Sequence, residues 1–365
     1  MSIQVLVVDD SFAMRTLISD LLISDPAVTV VETARSGQEA IQKLSKVRFH
    51  CMTLDLVFPG EDGLSILKTV MRKYPLPVIV LSALSNKEAA ISFQCLADGA
   101  VGFIPKPSGE MSLDIEKVKV ELLTMVKAVS QVPPARLRVT PRRPIPFPKR
   151  RWIGLHGMIV IGASTGGPQT VEAILSSLPA DFPVPILVVQ HMPNRFFIEQ
   201  FAERLDRRCH LRVKVACDGE PAEAGTITLA PPGLRLTVES PASLRGATAT
   251  KQSRFDVLIR LTAEEPGGLT PSIDATMKSV AEVYTSQAIG IILSGMGHDG
   301  TEGMRAIKAA GGVTLCEDES SFLFGMPKSV IEAGLADQAL PMEKIPEALA
   351  ELVTEGASRT QQGKQ

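Results

Sequence analysis

The fold of this chain is decided by the stretch Met158-Ile159-Val160-Ile161-Gly162-Ala163-Ser164-Thr165-Gly166-Gly167-Pro168, an apolar run that breaks into glycines. A short run of this kind predicts a buried strand that turns tightly into a helix. The turn would present the Ser164 hydroxyl beside unpaired helix N–H groups, whose field favours negative charge. Gly162-x-Ser164-x-Gly166 also fits the G-x-S-x-G pattern of nucleophilic serines, although glycine-rich turns bind phosphates as well. The turn alone leaves a nucleophile and a phosphate-binding loop as equal alternatives.

Strand-like and helix-like patterns alternate on both sides of this turn. The strand-like runs of the second half are Met158–Ile161, Ile186–Gln190, Leu211–Val215, Thr226–Ala230, Ile289–Leu293 and Gly312–Leu315. Those of the first half are Val5–Val8, Val28–Thr33, Cys51–Leu54, Val78–Leu81 and Val101–Ile104. Strand–helix alternation predicts parallel sheets with helices on both faces. We therefore expect an α/β fold with two doubly wound parallel-sheet domains, which a length of 365 residues also favours.

A segment rich in proline and arginine separates the two halves. Six prolines lie from Pro133 to Pro148, and no acidic residue occurs between Glu121 and Glu172. Proline-rich, like-charged segments are extended. We expect domains at residues 1–125 and 157–352, a linker at 126–156 and a polar, disordered tail at 353–365. Within the second domain, residues 237–271 read as loops with short strands.

Composition argues against several classes of function. A net charge of −2 does not favour a polyanion-binding protein, and the arginine-rich linker has few interleaved aromatic residues. No apolar run approaches the ~20 residues that cross a membrane, and the N-terminus does not resemble a signal peptide. The five cysteines form no C-x-x-C pair, so neither a disulfide framework nor a zinc site is expected. We expect a cytoplasmic protein that binds no nucleic acid and does not insert into membranes.

Polar residues follow the strand-like runs of the first half. Asp9 and Asp10 end the first run, Asp55 the third and Ser82 the fourth, and Lys106 follows the fifth. Because ligands of an open parallel sheet bind at the carboxyl ends of its strands, these five residues should meet at one edge. Clustered carboxylates repel unless they share a cation, and hard oxygen ligands suit Mg²⁺. A carboxylate beside that ion can accept a phosphoryl group, and a lysine and a hydroxyl can hold the added oxygens.

This set resembles the receiver domain of response regulators over about the first 125 residues. The matching elements, in order, are Asp9-Asp10-Ser11, Asp55 with Pro59 and Asp62-Gly63, Ser82-Ala83, and Lys106-Pro107. The resemblance implies a flavodoxin-like fold in which a partner histidine kinase phosphorylates Asp55. It also implies the supporting roles: Mg²⁺ binding by Asp9, Asp10 and Asp55, phosphoryl contacts from Ser82 and Lys106, and a switching aromatic at Phe103.

The first domain also departs from the receiver pattern. The loop after Asp55 is Leu56-Val57-Phe58-Pro59-Gly60, where such regulators often have an acidic-Met-Pro sequence. This departure leaves the acceptor intact but puts the kinetics of phosphate loss in question. A flavodoxin-like domain with a solvated acidic edge is the alternative interpretation.

A nucleophilic Ser164 needs a base and a third group that orients the base. His191 directly follows the run Ile186–Gln190, and His298 and Asp299 follow Ile289–Leu293. In a parallel sheet these residues lie at the edge that carries Ser164. Either His191 is the base and Asp299 orients it, or His298 is the base. We favour His191, because a residue next to Asp299 in a glycine-rich loop usually points away from it.

The order serine, histidine, aspartate differs from the serine, acid, histidine order of the α/β-hydrolases. This order resembles the catalytic domain of the chemotaxis protein-glutamate methylesterases (the CheB family) over residues 157–350. Three further strings carry the resemblance: Gln190-His191-Met192-Pro193, Gly295-Met296-Gly297-His298-Asp299-Gly300 and Phe324-Gly325-Met326-Pro327. It implies a Rossmann-like domain with Ser164, His191 and Asp299 as the triad. Thr165 would help to place the histidine, and the N–H of Met296 would contribute to the oxyanion hole.

The same resemblance implies a reaction and its partners. Ser164 would attack γ-methyl esters of receptor glutamates and release methanol, would deamidate receptor glutamines, and would need no cofactor for either step. The partners would be methyl-accepting chemoreceptors and a chemotaxis histidine kinase. Phosphorylation of Asp55 would relieve blockage of the active site by the receiver domain. A non-catalytic module that binds receptor or kinase, and an unrelated serine hydrolase fused to a receiver, stay open as alternatives.

Overall fold

The computed structural model describes residues 2–83, 85–106, 112–132, 157–240, 257–263 and 271–362. The chain divides into two compact units, Met1–Pro141 and Arg142–Gln365. Each unit is built around a parallel β-sheet, so the predicted α/β class is confirmed. Among the described residues, no helix is both long enough and apolar enough to span a membrane.

The first unit has a flavodoxin-like strand order. Its elements are β1 (Ile3–Val8), α1 (Phe12–Ile23), β2 (Val28–Ala34), α2 (Gly37–Leu44), β3 (Cys51–Asp55), β4 (Val57–Phe58), β5 (Glu61–Asp62), α3 (Gly63–Lys73), β6 (Val78–Ser82), α4 (Asn86–Ala97), β7 (Gly102–Pro105) and α5 (Ser112–Val129). The parallel sheet has the order β2-β1-β3-β6-β7, and β4 and β5 form a short antiparallel pair. Strands β3 and β6 are buried along their whole length, as their apolar sequences predict. The strand order reverses between β1 and β3, which places a crevice at their carboxyl ends.

The second unit contains a larger sheet. Its elements are β8 (Met158–Ala163), α6 (Gly167–Leu175), β9 (Ile186–Gln190), α7 (Arg195–Asp206), β10 (Arg212–Val215), β11 (Thr226–Leu229), β12 (Leu234–Glu239), β13 (Leu258–Ala263), α8 (Ile273–Tyr284), β14 (Ala288–Ile292), α9 (Thr301–Ala309), β15 (Val313–Glu317), α10 (Met326–Glu332), β16 (Gln338–Leu340) and α11 (Ile345–Gln362). Seven parallel strands have the order β10-β11-β9-β8-β14-β15-β16, and β12 and β13 pair antiparallel in a separate sheet.

Strand β8 lies at the point where the strand order reverses. It pairs with β9 on one side and with β14 on the other. All three strands are parallel, so the loops after them leave the same edge of the sheet, where open α/β sheets bind ligands. Helices α8 and α9 pack closely beside this edge, because a Cβ at Gly303 would lie 2.5 Å from the Cβ of Met277. The topology therefore brings the loops after β8, β9 and β14 together.

Two details differ from the sequence-based expectations, and a third agrees with the expected loops and short strands. Helix α5 continues to Val129, beyond the predicted start of the linker at 126, and residues 133–156 lie outside the described residues. Helix α11 continues to Gln362, through most of the tail predicted to be disordered at 353–365, where Glu355, Ala357, Arg359, Gln361 and Gln362 are good helix formers. The segment 237–271 contains part of β12 and the whole of β13, while 241–256 and 264–270 lie outside the described residues.

Candidate functional site

Ser164 occupies the turn between β8 and α6. The N–H of Gly167 donates to the Ser164 carbonyl at 2.8 Å, which closes the turn. Gly166 has a φ of 77°, and a Cβ there would lie 2.7 Å from the Oγ of Ser294 and 2.9 Å from Phe322. Only glycine combines this backbone conformation with so little space. The glycines of the motif thus shape a turn that leaves Ser164 half-buried at the sheet edge.

His191 and Asp299 lie together at the same edge. The distance from the Nε2 of His191 to the Oδ2 of Asp299 is 3.0 Å, and the His191 N–H donates to the Ala163 carbonyl at 3.0 Å. An ionised carboxylate only accepts hydrogen bonds, so Nε2 carries the proton and Nδ1 keeps a lone pair. Within the described residues there is no hydrogen bond between the side chains of Ser164 and His191, and such contacts are often long in unliganded enzymes. The arrangement leaves Nδ1 as the nitrogen available to act as a base.

Asp299 is held by the first turn of α8. Besides His191, it accepts hydrogen bonds from the N–H groups of Ile273 at 2.9 Å and of Asp274 at 3.0 Å. Burial alone would raise the pKa of Asp299. The hydrogen bond from His191 and those from the two backbone groups outweigh burial and keep this pKa below its usual value. Asp299 is therefore ionised at neutral pH and can stabilise a positive charge on His191.

Asp274 makes the reciprocal contacts, with N–H groups at the start of the helix that follows Asp299. Its Oδ1 accepts from the N–H of Gly300 at 2.9 Å and of Gly303 at 2.6 Å, in the first turn of α9. Burial raises the pKa of Asp274; the Gly303 N–H opposes the rise, and the charge of Asp299 adds to it. Asp299 thus caps the helix that contains Asp274, and Asp274 caps the helix that begins directly after Asp299. Asp274 was not predicted as a site residue from the sequence, although an acidic residue directly after Ser272-Ile273 is a helix-start signal.

The loop after β14 passes directly beside Ser164. The Ser164 N–H donates to the Ser294 carbonyl at 3.0 Å, and a Cβ at Gly295 would lie 2.9 Å from the Cβ of Ser164. Within the described residues, the next N–H group, that of Met296, donates to no backbone carbonyl. Its position and its unpaired donor fit the oxyanion role expected from the sequence. His298 is exposed, and no hydrogen bond joins its ring to Asp299.

Thr165 is fixed through its backbone. Its carbonyl accepts from the Oγ of Ser294 at 2.9 Å, and Ser294 in turn accepts from the N–H of Leu323 at 2.9 Å. Ser294 is fully buried, and its N–H donates to Glu317 at 2.9 Å. No hydrogen bond between the Thr165 side chain and His191 is present among the described residues. The expected placement of the histidine by Thr165 stays a prediction.

The acidic residues of the first unit also converge. Oxygen atoms of Asp9, Asp10 and Asp55 lie within 4.8 Å of one another. The Nζ of Lys106 lies 3.0 Å from Asp9 and 2.8 Å from the Oδ1 of Asp55. Burial raises the pKa of Asp55 above its usual value, and the ion pair with Lys106 opposes the rise without cancelling it. Three clustered carboxylates form a donor set that fits a hard divalent cation.

Ser82 lies at the end of β6, next to this cluster. The N–H of Lys106 donates to its carbonyl at 2.9 Å. The Ser82 hydroxyl lies 3.0 Å from the Ala83 carbonyl and 3.2 Å from the Oε2 of Glu88, and the N–H of Ala83 donates to the same Glu88 oxygen at 2.5 Å. The sequence analysis missed Glu88, although Ser85-x-x-Glu88 is a capping-box pattern. Phe103 packs edge-to-face on Phe93, with ring centres 6.1 Å apart, and its switching role stays a prediction.

Comparisons with known proteins match both units. A family model described as CheB methylesterase matches residues 159–349, and a response regulator receiver domain model matches 5–116. A Thermotoga maritima protein named protein-glutamate methylesterase/protein-glutamine glutaminase is 40% identical over 353 residues, covering 96% of this chain and 98% of that protein. A Halalkalibacterium halodurans protein of the same name is 39% identical over 359 residues, covering 95% and 97%. The crystal structure of the Thermotoga maritima CheB methylesterase catalytic domain is 42% identical, with a TM-score of 0.49, over 55% of this chain and 100% of that one.

Proposed function

This chain belongs to the CheB methylesterase family, and we propose that Ser164, His191 and Asp299 form the catalytic triad of a protein-glutamate methylesterase and protein-glutamine glutaminase. The observation that carries this assignment is the 3.0 Å contact between the Nε2 of His191 and the Oδ2 of Asp299 at the strand ends that flank Ser164. We propose γ-methyl esters of glutamates in methyl-accepting chemoreceptors as the substrates. We further propose that the protein acts in the cytoplasm, where its partners would be these chemoreceptors and a chemotaxis histidine kinase.

The reaction follows the acyl-transfer route of serine hydrolases. The Nδ1 of His191 takes the proton of the Ser164 hydroxyl as its Oγ bonds to the γ-carbonyl carbon of the ester. The carbonyl oxygen becomes an oxyanion, and the charge on Asp299 stabilises the imidazolium. The bond to the methoxy group then breaks, and methanol leaves with the proton from Nδ1. Water repeats the sequence on the acyl-enzyme and releases the glutamate; with glutamine, ammonia leaves in place of methanol.

The oxyanion is the species that most needs stabilisation. We assign the Met296 N–H to this role, because the loop that carries it lies against Ser164 and its donor has no backbone acceptor in the described part of the chain. Loss of one oxyanion donor typically costs about 10² to 10³ in kcat. The half-buried position of Ser164 limits the water that competes for the same donor.

The first unit makes the enzyme responsive to phosphorylation. We propose that Asp55 is the phosphoryl acceptor and that Asp9, Asp10 and Asp55 hold Mg²⁺. When bound, the ion supplies charge neutralisation for the incoming phosphoryl oxygens. Lys106 already contacts Asp9 and Asp55 and would pair with the added phosphoryl group, and the Ser82 hydroxyl would donate to it. Phosphorylation of Asp55 would raise the methylesterase activity.

Methanol release from a methylated chemoreceptor tests the assignment. Ser164→Ala should abolish release, and His191→Ala should lower it to nearly the same level. His298→Ala is the matched control, because this second histidine of the same edge is exposed. Full release by Ser164→Ala, or loss of release only in His298→Ala, would contradict the triad. Asp55→Asn should remove the stimulation by a phosphodonor and keep basal release.

A further inference from the structure

The side chain of Gln190, the last residue of β9, bridges the nucleophile turn and the histidine. Its Nε2 donates to the Ser164 carbonyl at 2.9 Å and to the His191 carbonyl at 3.1 Å. Both acceptors are carbonyls, so the amide can take only this orientation. The side chain is fully buried at 1% exposure. Gln190 therefore joins the backbones of two proposed triad members through one nitrogen.

This contact determines the direction of the peptide group that follows Ser164. The Ser164 carbonyl accepts two bonds, from Gln190 and from the N–H of Gly167 at 2.8 Å. In a trans peptide the carbonyl and the next N–H point in opposite directions. The N–H of Thr165 must therefore point away from the buried amide, and it donates to no backbone carbonyl within the described residues. The residue after a nucleophile often supplies an oxyanion donor in this way.

We propose that Gln190 is a positioning residue, which aims the Thr165 N–H as a second oxyanion donor and holds the backbone of His191. This inference rests on the proposed esterase function of Ser164. It assigns Gln190 an effect on the transition state and no direct contact with the substrate.

Stability alone does not account for a glutamine at this position. The Oε1 of Gln190 is buried and has no hydrogen-bond partner among the described residues. It lies so close to α6 that a Cβ at Gly167 would be 2.4 Å from it. A buried unpaired acceptor is destabilising, and an apolar side chain of similar size would avoid it. The favourable contacts of this amide are the two that orient the backbone of the site.

The test compares Gln190→Met with the wild-type enzyme and with the control variant Thr314→Val, all as full-length chains. Thr314 is a matched control, because it is also fully buried in the same sheet, and its hydroxyl donates to the carbonyl of Leu335 at 2.5 Å. Gln190→Met should lower kcat for methanol release by about 10- to 100-fold, with KM changed less than about 3-fold. Its Tm should move no more than that of Thr314→Val, whose kcat should stay at the wild-type value.

A second variant supplies a readout that a structural role would not change. Gln190→Glu has one O–H to donate when its carboxyl is protonated and none when it is ionised. The ratio of its kcat to that of the wild type should therefore fall as the pH rises through the pKa of this carboxyl. A ratio that is constant with pH, or a wild-type kcat in Gln190→Met, overturns the proposal.

The rate of Ser164 modification by a fluorophosphonate separates this inference from the proposed function. In that reaction Ser164 Oγ bonds to phosphorus, fluoride leaves, and His191 takes the hydroxyl proton, so no receptor is needed. Gln190→Met should slow the labelling by the same 10- to 100-fold, roughly, as it slows methanol release. Suppose that Gln190→Met is labelled slowly but that neither the wild type nor any variant releases methanol. This result would refute the proposed substrate and support the positioning role of Gln190. Labelling of Gln190→Met at the wild-type rate would refute the positioning role of Gln190, even if the wild-type enzyme releases methanol normally.

Discussion

Asp299→Asn is the most informative single substitution in the proposed active site. The Oδ2 of Asp299 accepts from His191 and from the N–H of Ile273, and its Oδ1 accepts from the N–H of Asp274. Asparagine keeps one acceptor oxygen and replaces the other by an NH₂ donor. In either orientation one of the two backbone N–H groups meets a donor, and the negative charge beside His191 is lost.

The orientation of the new amide determines the tautomer of His191. If the NH₂ group occupies the Oδ2 position, it donates to Nε2 and forces the proton onto Nδ1, the nitrogen that must accept the proton of Ser164. A wrong tautomer in a triad costs about 10⁴ in kcat. In the other orientation the tautomer is kept, but the imidazolium loses its counter-charge. We expect kcat for methanol release to fall by about 10³- to 10⁴-fold with little change in KM.

Stability should change in the same variant. Asp299 has a pKa below its usual value, so its contribution to the free energy of unfolding is fully present above the unfolded pKa of about 3.9 and is lost as the pH falls through the folded pKa. The variant should lose about 1 to 3 kcal/mol at neutral pH, from hydrogen bonds to a charged group. Its stability should also depend less on pH below about pH 4. Urea unfolding at several pH values measures both effects, and kcat within 10-fold of the wild type would refute the assignment of Asp299.

Three further substitutions test neighbouring features. Gly167→Ala should destabilise the second unit by about 1 to 3 kcal/mol in urea unfolding, because the new methyl group would lie 2.4 Å from Gln190. Lys106→Met should raise the pKa of Asp55 further above its usual value, because burial and the charge of Asp9 would no longer be opposed by the lysine. Stability should then fall as the pH rises above about 4, and a carboxyl pKa unchanged by NMR titration would contradict the ion pair. Glu88→Ala should raise the rate of phosphorylation by a small phosphodonor about 5-fold, because it removes one of the two acceptors that compete for the Ser82 hydroxyl, and an unchanged stopped-flow rate would contradict this competition.

The fold followed from local patterns, and the general position of the site followed from the fold. Apolar runs of four to six residues, each ending in a polar or glycine residue, located the strands β8, β9 and β14 and so brought Ser164, His191 and Asp299 to one edge. The position of β8 at the reversal of the strand order could not be predicted, because it depends on which strands pair, and no local pattern encodes that pairing. That these three residues meet at one edge could be predicted from the sequence, because parallel strands share a direction.

The residues that sequence reasoning missed act through contacts between distant segments. Gln190 looks like the polar end of a strand, and only the packed turn shows that its amide reaches back to Ser164. Asp274 looks like an ordinary residue of a helix start, and its partners lie in the first turn of another helix. Glu88 fits a capping box, yet its carboxylate also reaches Ser82. Patterns within one segment cannot show such contacts, since they depend on how the elements pack.

The reciprocal capping by Asp274 and Asp299 makes local unfolding a way to inactivate the enzyme. Fraying of the first turn of α8 withdraws two of the three donors that hold Asp299, and fraying of α9 releases the loop that carries it. The fraction of molecules with a correctly oriented histidine is therefore tied to the opening equilibrium of these two helix ends. Amide hydrogen exchange at Ile273 and Gly303 would measure that equilibrium directly. Any molecule that loosens these turns would act as an inhibitor without binding at Ser164.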